Sequence, residues 1–254
     1  MKKITNRVLW IFAVGQFGWS LLSGIVSSWM VYYYTGEGAV FGGLITGGTI
    51  FWGVTLFGLI TALGRIFDAV TDPLIAGLSD ASRLKGGRRI PFMRAIALPF
   101  ALFTVGIFVF PQTGSVPAND LILLVTLLLF YLFMTVYCTP YNALIAELGD
   151  TQAHRINVST YISFTYIAGF SVSYLLPNIA GLFTAFLGAA NAVRLAVGLL
   201  SALAAAAMLV PALLIRERDY IDSKPVRTRA FASLLKSFKN GQFRRFVYSD
   251  VIYF

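Results

Sequence analysis

Three charged residues lie close together in one strongly apolar stretch of the chain: Arg65, Asp68 and Asp72. A charged side chain at the centre of a bilayer costs roughly 2.5–3.5 kcal/mol even on a lenient scale, so these three residues need compensation. At about 100° per residue along a helix, Asp68 and Asp72 project within about 40° of each other, with Arg65 near the same line. We therefore expect all three side chains to face the interior of a helix bundle.

The two aspartates suggest a cation site, because carboxylates one turn apart repel each other unless a cation or a proton lies between them. Hard oxygen ligands suit Na⁺, and a single shared proton would suit H⁺ coupling. Pro73 cannot donate a hydrogen bond to the carbonyl of Ala69, which frees a backbone oxygen nearby. The alternative is an Arg65–Asp68 ion pair that only joins helices, and it would leave Asp72 unpaired.

Polar residues recur at helical spacing in three other apolar stretches. The stripes consist of Gln16, Ser20, Ser23 and Ser27, then Thr135, Cys138 and Asn142 around Pro140, and finally Ser159, Ser163 and Tyr166. Such stripes can line a polar cavity, although Ser and Thr are also ordinary contact residues between membrane helices. The agreement of three stretches favours the cavity.

A further set of charged residues lies between the second and third apolar stretches. There Asp80 precedes a basic cluster that includes Arg83, Arg88 and Arg89. An acid at the end of one helix and arginines before the next can form charge-assisted hydrogen bonds across the mouth of a cavity. We expect these four residues to form a cytoplasmic gate, whose bonds hold one conformation and break in another.

The elements that must position these residues are apolar. Hydrophobic residues make up 57% of the 254 and charged residues 12%, about half the roughly 25% charge of a soluble domain. Crossing a bilayer takes about 20 apolar residues. Six stretches qualify, at about 8–34, 47–79, 92–111, 120–146, 157–187 and 192–215, and we see no removable leader before them.

The pattern predicts an all-α membrane protein in three parts. Residues 1–215 form a six-helix transmembrane bundle, 216–245 a basic cytoplasmic loop, and 246–254 the truncated start of a seventh helix. Within the loop, apolar residues at 231–238 recur at helical spacing beside lysines, which predicts an amphipathic helix on the membrane surface. The glycine-dense stretch 36–48 predicts an irregular or partly re-entrant outer connection.

The basic residues indicate the orientation of the chain. Of the 20 lysines and arginines, 18 lie before the first span, after the sixth, or in the loops that follow the second and fourth. This asymmetry predicts a cytoplasmic N-terminus and loop 216–245 in a cell inner membrane. The net charge of +9 is then explained by topology and by contact with anionic lipid, and nucleic acid is not needed as a partner. The single cysteine excludes an intramolecular disulfide, and beyond a possible Na⁺ at Asp68 and Asp72 we expect no metal.

A resemblance to known transporters is carried by three segments. The longest is GRIFDAVTDPLIAGLSDASRLKGGRRIPF, from Gly64 to Phe92, whose second half resembles the loop motif between helices two and three of the major facilitator superfamily. The others are PYNALIAEL at 140–148 and SDVIY at 249–253. On these residues the chain is identified as a member of the glycoside–pentoside–hexuronide:cation symporters (melibiose permease-like), of which it resembles the N-terminal half.

The resemblance implies a secondary transporter that works by alternating access between two six-helix bundles, with the C-terminal bundle as a missing partner. It also implies a cation site formed by Asp68, Asp72, Thr71 and Thr135, where Thr71 replaces the family's asparagine. The coupling ion is Na⁺ or H⁺, and no other cofactor is implied.

For the solute, the resemblance points to positions that differ from the family pattern. Two acids that hold sugar hydroxyls correspond to Ser20 and Cys138, a sugar-contacting tryptophan corresponds to Asn142, and an arginine is replaced near Ser163. The candidate solute contacts are Gln16, Ser20, Arg65, Cys138, Asn142 and Ser163. The solute is expected to be small and polar: a sugar, a glycoside or a uronide.

Two alternatives remain open at this stage. Loss of the sugar-binding acids is compatible with a lipid or amphiphile transporter on the same scaffold, and a six-helix half by itself is compatible with a fragment that does not transport. An enzyme is not expected, because the sequence contains no nucleophile–base set, phosphate loop or metal-ligand spacing.

Overall fold

The computed structural model describes residues 3–36, 38–51, 53–82, 84, 86–221, 239–242, 244–245 and 248–249. Its elements are, in chain order, α1 (Asn6–Thr35), a 3-10 turn (Gly42–Leu44), β1 (Thr49–Phe51), β2 (Val54–Thr55), α2 (Leu56–Asp80), α3 (Ile90–Val109), α4 (Val116–Leu148), α5 (Gln152–Ser173), α6 (Leu176–Leu187), α7 (Ala189–Leu214) and α8 (Glu217–Tyr220).

Five stretches of the described chain are long and apolar enough to cross a membrane: α1, α3, α4, the α5–α6 pair (Gln152–Leu187) and α7. The protein is therefore a mostly helical, multi-pass membrane protein, as predicted. The remaining long helix, α2, has 25 residues, enough for about 37 Å at 1.5 Å per residue, but it carries the charged residues discussed above. That it forms a sixth span stays a prediction.

The predicted second span began too early. Helix α2 starts at Leu56 rather than near residue 47, because residues 42–55 form a 3-10 turn and a two-stranded antiparallel hairpin. Glycine explains the difference: Gly53 adopts φ 82°, a conformation that favours glycine, where β1 turns into β2. Apolar composition alone did not distinguish this hairpin from the helix that follows it.

The predicted span 157–187 is bent rather than continuous, since α5 ends at Ser173 and α6 begins at Leu176. Pro177 lies in the first turn of α6 and has no N–H to donate to the carbonyl of Ser173. The indole Nε1 of Trp29, on α1, donates a hydrogen bond of 2.8 Å to that carbonyl instead. The carbonyl of Ser173 is therefore satisfied at the break between α5 and α6, and this hydrogen bond joins α5 to α1.

The helices pack as a row of neighbours: α2 on α4, α4 on α3, α3 on α7, α7 on α1, and α1 on α5. Small residues allow the closest approaches, as is usual between membrane helices. A Cβ added at Gly18 of α1 would lie 2.5 Å from the carbonyl oxygen of Ala204 on α7, and one at Gly169 of α5 would lie 2.3 Å from the carbonyl oxygen of Phe17. Helix α1 is therefore packed closely against α7 on one side and α5 on another.

Several predictions fall on residues outside the described ranges. The amphipathic helix at 231–238 and the gate residue Arg83 both do so. Of the predicted seventh-helix start at 246–254, Tyr248 and Ser249 are described, and both are helical.

Candidate functional site

A cavity of about 630 Å³ opens between α2 and α4, with one side chain contributed by α1. Both aspartates of α2 line it, as do all three residues of the predicted α4 stripe, Thr135, Cys138 and Asn142. The full lining is Trp19, Asp68, Ala69, Asp72, Pro73, Ala76, Met134, Thr135, Cys138, Thr139 and Asn142. At this cavity Asp68 is half-buried and Asp72 is exposed, and that their side chains face the interior of a helix bundle stays a prediction.

Each aspartate is paired with a threonine of α4. The Oγ1 of Thr135 donates to Oδ1 of Asp68 at 2.6 Å, and the Oγ1 of Thr139 donates to Oδ1 of Asp72 at 3.1 Å. Both pairs are separated by 67 positions in the chain, so the two helices run side by side in a constant register. The second oxygen, Oδ2, of each aspartate accepts no hydrogen bond from any described residue.

Thr71 contributes differently from the other predicted cation ligands. Its side chain is buried, and its hydroxyl donates to the backbone carbonyl of Asp68 at 3.0 Å. It therefore supports the helix turn that carries Asp68 and does not line the cavity. Pro73 and Ala69, whose carbonyl the proline leaves without its helical partner, both belong to the lining.

Arg65 does not form the ion pair that would have neutralised the acids. Its guanidinium carbon lies 5.3 Å from the ring centroid of Tyr131, in a cation–π contact. The side chain is exposed, and no carboxylate in the described part of the chain lies within 4 Å of it. The neighbouring Gly64 permits this contact, because a Cβ there would lie 2.6 Å from Tyr131 Cε2.

The structure brings together some of the predicted solute contacts and separates others. Cys138 and Asn142 line the cavity. Ser20 is fully buried where α1 meets Gly169 of α5, and its hydroxyl donates to the carbonyl of Phe17 at 3.1 Å. Two others lie apart from the cavity lining: Gln16, buried in α1, and Ser163, exposed on α5.

Four lining residues were not assigned by the sequence analysis: Trp19, Ala76, Met134 and Thr139. Thr139 follows Thr135 by four positions, the same spacing as the two aspartates, so matched spacing on two helices was the available signal. Trp19 comes from α1, and its ring lies beside Tyr166 of α5 with centroids 5.9 Å apart. A tryptophan in an apolar stretch carries no such signal.

The described residues of the predicted gate, Asp80, Arg88 and Arg89, form one cluster at the C-terminal end of α2. Arg89 Nη2 donates to Asp80 Oδ1 at 3.0 Å, and Arg88 Nη2 donates to Glu147 Oε1 at 2.6 Å. The Nη1 of Arg89 lies 2.8 Å from the same Glu147 oxygen. Both arginines are buried. Glu147, at the end of α4, is a member that the sequence analysis did not assign to the gate.

A third acid of this cluster, Glu217, comes from α8. Glu217 is 1% exposed, and its carboxylate accepts hydrogen bonds from three consecutive backbone N–H groups at the start of α3: Arg88 at 2.9 Å, Arg89 at 2.8 Å and Ile90 at 3.0 Å. A carboxylate at a helix N-terminus also interacts favourably with the helix dipole. Gly87, at φ 124°, admits it, because a Cβ there would lie 2.4 Å from Glu217 Oε2.

Comparison with known proteins gives one family match and several similar proteins. A family model described as MFS/sugar transport protein matches residues 11–253. An uncharacterized symporter of Synechocystis sp. is 26% identical over 65% of this chain and 29% of its own length, and the uncharacterized symporter YnaJ of Bacillus subtilis is 26% identical over 71% and 36%. YagG of Escherichia coli, provisionally named a glycoside/cation symporter, is 30% identical over 45% of this chain and 25% of its own length. The aligned part thus spans about a third of the length of these relatives.

The membrane-crossing helices of the described chain agree with this family match. The chain belongs to the MFS/sugar transport family, within the major facilitator superfamily that the sequence resemblance indicated.

Proposed function

We propose that this chain is the N-terminal half of a secondary transporter that couples a cation, Na⁺ or H⁺, to uptake of a sugar or glycoside-type solute by alternating access. One observation carries the proposal. Asp68 and Asp72 share one cavity, each is held by a single threonine hydroxyl, and each keeps an oxygen with no partner among the described residues.

This arrangement suits a mobile cation for electrostatic reasons. Two carboxylates with no ion-pair partner among the described residues repel each other, and a cation or a proton between them removes that repulsion. The threonine hydroxyls fix the carboxylates without neutralising them, and both hydroxyl oxygens retain lone pairs for a hard ion. Because Arg65 contacts Tyr131 instead, the site keeps its need for positive charge.

The lining residues other than the two acids suit a small polar solute. Its volume of about 630 Å³ lies within the roughly 300–1,000 Å³ typical of small-molecule sites. The amide of Asn142 offers both donors and an acceptor for hydroxyl groups, and the ring of Trp19 offers an apolar face. A cation that lowers the free energy of solute binding is favoured by the solute to the same extent, because linkage is reciprocal.

The proposal also covers the orientation of the chain, a C-terminal bundle and a cytoplasmic gate. We place the N-terminus and the basic segment 216–245 in the cytoplasm, by the positive-inside rule, in a cell inner membrane. A C-terminal six-helix bundle would close the open side of the cavity. Asp80, Arg83, Arg88 and Arg89 are proposed as the cytoplasmic gate, with the bonds of Asp80 to both arginines as its described part.

The decisive experiment is counterflow of a labelled sugar panel through the full-length protein, at varied Na⁺ concentration and pH. Asp68→Asn and Asp72→Asn remove one charge each and are expected to abolish cation-dependent uptake. Asp150→Asn, which changes an exposed loop acid outside the cavity, is the matched control and should transport normally. Normal cation-dependent uptake in both cavity variants would reject the proposal.

A further inference from the structure

A second cavity, of about 370 Å³, lies at the end of the bundle where α1 begins and α7 ends. It shares no lining residue with the cavity between α2 and α4. Its wall combines three polar residues, Thr5, Arg7 and Tyr220, with apolar ones that include Val8, Ile11 and Leu214. It is therefore amphipathic, with a cation at one side.

The polar groups of this cavity have unused donors. Arg7 forms no ion pair within the described ranges, and it is exposed. Thr5 precedes the first turn of α1, yet its side chain makes no capping hydrogen bond. The Tyr220 hydroxyl likewise has no hydrogen-bond partner among the residues that the structure describes. A guanidinium and two hydroxyls directed to one cavity form a donor set for an anionic oxygen group, phosphate in particular.

The apolar wall restricts what kind of anion fits. Leu214 is 65% exposed at the end of α7, and it continues the apolar surface of a helix that is long enough to cross the membrane. A free phosphate ion would leave this wall exposed, whereas a lipid would cover it with acyl chain while its phosphate meets Arg7. The ends of membrane helices lie at the level of the lipid headgroups, where arginine contacts anionic lipids.

We propose that this cavity binds an anionic phospholipid, with its phosphate on Arg7, Thr5 and Tyr220 and its upper acyl chain along Val8, Ile11 and Leu214. The chain's own segment 222–238 is a weaker occupant on grounds of charge. It contains Lys224, Arg227, Arg229 and Lys236 against a single acid, Asp222, so it would bring like charge to Arg7.

The occupant can be identified by photo-crosslinking from within the cavity. Leu214 is replaced by p-benzoylphenylalanine in the full chain, reconstituted in phosphatidylcholine vesicles with about 10% phosphatidylglycerol, and adducts are identified by mass spectrometry. Leu203, an exposed residue of the same helix outside the cavity, is the matched position for random lipid contact. The odds of a phosphatidylglycerol adduct should be about fivefold higher at position 214, the effect of roughly one basic residue near an anionic surface.

Two arginine variants test the role of charge. Arg7→Gln should remove the enrichment, whereas Arg244→Gln, which changes an exposed arginine outside the cavity, should keep it. If Arg7→Gln does not fold, Tyr220→Phe removes a single hydroxyl and should lower the enrichment about twofold. Equal phosphatidylglycerol odds at positions 214 and 203 would overturn the proposal, as would unchanged enrichment in whichever variant folds.

Other adducts identify the other occupants. Crosslinks from position 214 to residues 222–238, or to a second copy of the chain, would overturn the lipid assignment. Inorganic phosphate added to the vesicles should leave the adducts unchanged, and complete competition by it would instead assign the donors to a soluble anion.

Discussion

The acids of the cavity between α2 and α4 and the acids of the arginine cluster at the end of α2 have the same chemical group and opposite surroundings. Asp68 and Asp72 each accept one hydrogen bond, from a neutral hydroxyl, and each keeps an oxygen without a described partner. Glu217 accepts three backbone hydrogen bonds. One oxygen of Glu147 contacts two arginines, while its other oxygen, Oε2, is buried and has no hydrogen-bond partner among the described residues. Acids compensated by backbone N–H groups or by arginines hold elements together, whereas acids held only by neutral hydroxyls still need positive charge.

The described bonds of the arginine cluster join α2, α3, α4 and α8. A movement of these helices as a rigid body would leave the bonds intact. The gate proposed for Asp80, Arg83, Arg88 and Arg89 therefore requires groups of the proposed C-terminal bundle that compete for the same arginines.

The largest expected effect is on folding stability, from Glu217→Ala. Three N–H groups at the start of α3 would lose their acceptor in a buried place, at a cost of about 4 kcal/mol, given roughly 1–3 kcal/mol for each group left unsatisfied. Thermal unfolding in detergent measures the loss. Asp68→Asn is the contrasting variant and should leave the melting temperature unchanged or raised, because it relieves repulsion between the two cavity acids. Equal destabilisation by both variants would contradict the distinction between the two kinds of acid.

Glu147→Gln should have the next largest effect. Two buried arginines would lose their shared carboxylate partner, and removing one member of a buried ion cluster is strongly destabilising. Asp80 remains to compensate in part, so we expect about 2 kcal/mol, below the range of roughly 3–5 kcal/mol for a fully broken buried pair. Unfolding of Glu147→Gln beside Asp150→Asn, an exposed acid at the same end of α4, checks this. A stability equal to that of the control would show that the cluster contributes no net stabilisation.

A smaller effect is expected on cation affinity, from the two threonines. Thr135→Val keeps the shape of the side chain and removes the hydroxyl that holds Asp68, which should weaken cation binding about tenfold, or roughly 1.4 kcal/mol. Thr139→Val should cost less, because the hydrogen bond to Asp72 is longer and more exposed. The measurement is the cation concentration that gives half-maximal uptake. Unchanged values in both variants would mean that the hydroxyls do not position the carboxylates.

The smallest effect is expected from Arg65→Gln. Its cation–π contact with Tyr131 is worth about 0.5–1 kcal/mol at an exposed site, and no described carboxylate lies within 4 Å of its guanidinium. We expect a small loss of stability and cation-dependent uptake within about twofold of the unaltered protein. Complete loss of coupling in this variant would restore the ion-pair interpretation of Arg65.

The site was predictable from sequence where it depended on spacing within one helix. The angle between residues four apart placed Asp68 and Asp72 on one face, and the resemblance added Thr135 as a neighbour. Thr139 needed the register between α2 and α4, which no single-helix pattern contains. The contact of Glu217 was harder still to predict, because Glu217 lies 127 to 129 positions from the backbone groups that it binds. A hydropathy pattern carries no information on such a contact.

The membrane spans could be predicted where the length of an apolar stretch determines the helix. They were predicted less well where a glycine or a proline determines the backbone. Five spans agree with helices of the structure. The start of α2 was wrong by about nine residues because a glycine-dependent turn of the hairpin has the composition of a span. The bend at 174–175 was missed although Pro177 is visible in the sequence, because a proline in the first turn of a helix fits a new helix as well as a kink.

The equal separation of the two threonine–aspartate pairs constrains how α2 and α4 can move. Sliding one helix past the other by a single turn, about 5.4 Å, would bring Thr139 opposite Asp68 and leave Asp72 facing Ala143, which has no hydroxyl. One bond would be exchanged and the other lost without replacement. In the proposed transport cycle we therefore expect the pair to move as one unit, and opening or closing of the cavity to depend on the elements that face it.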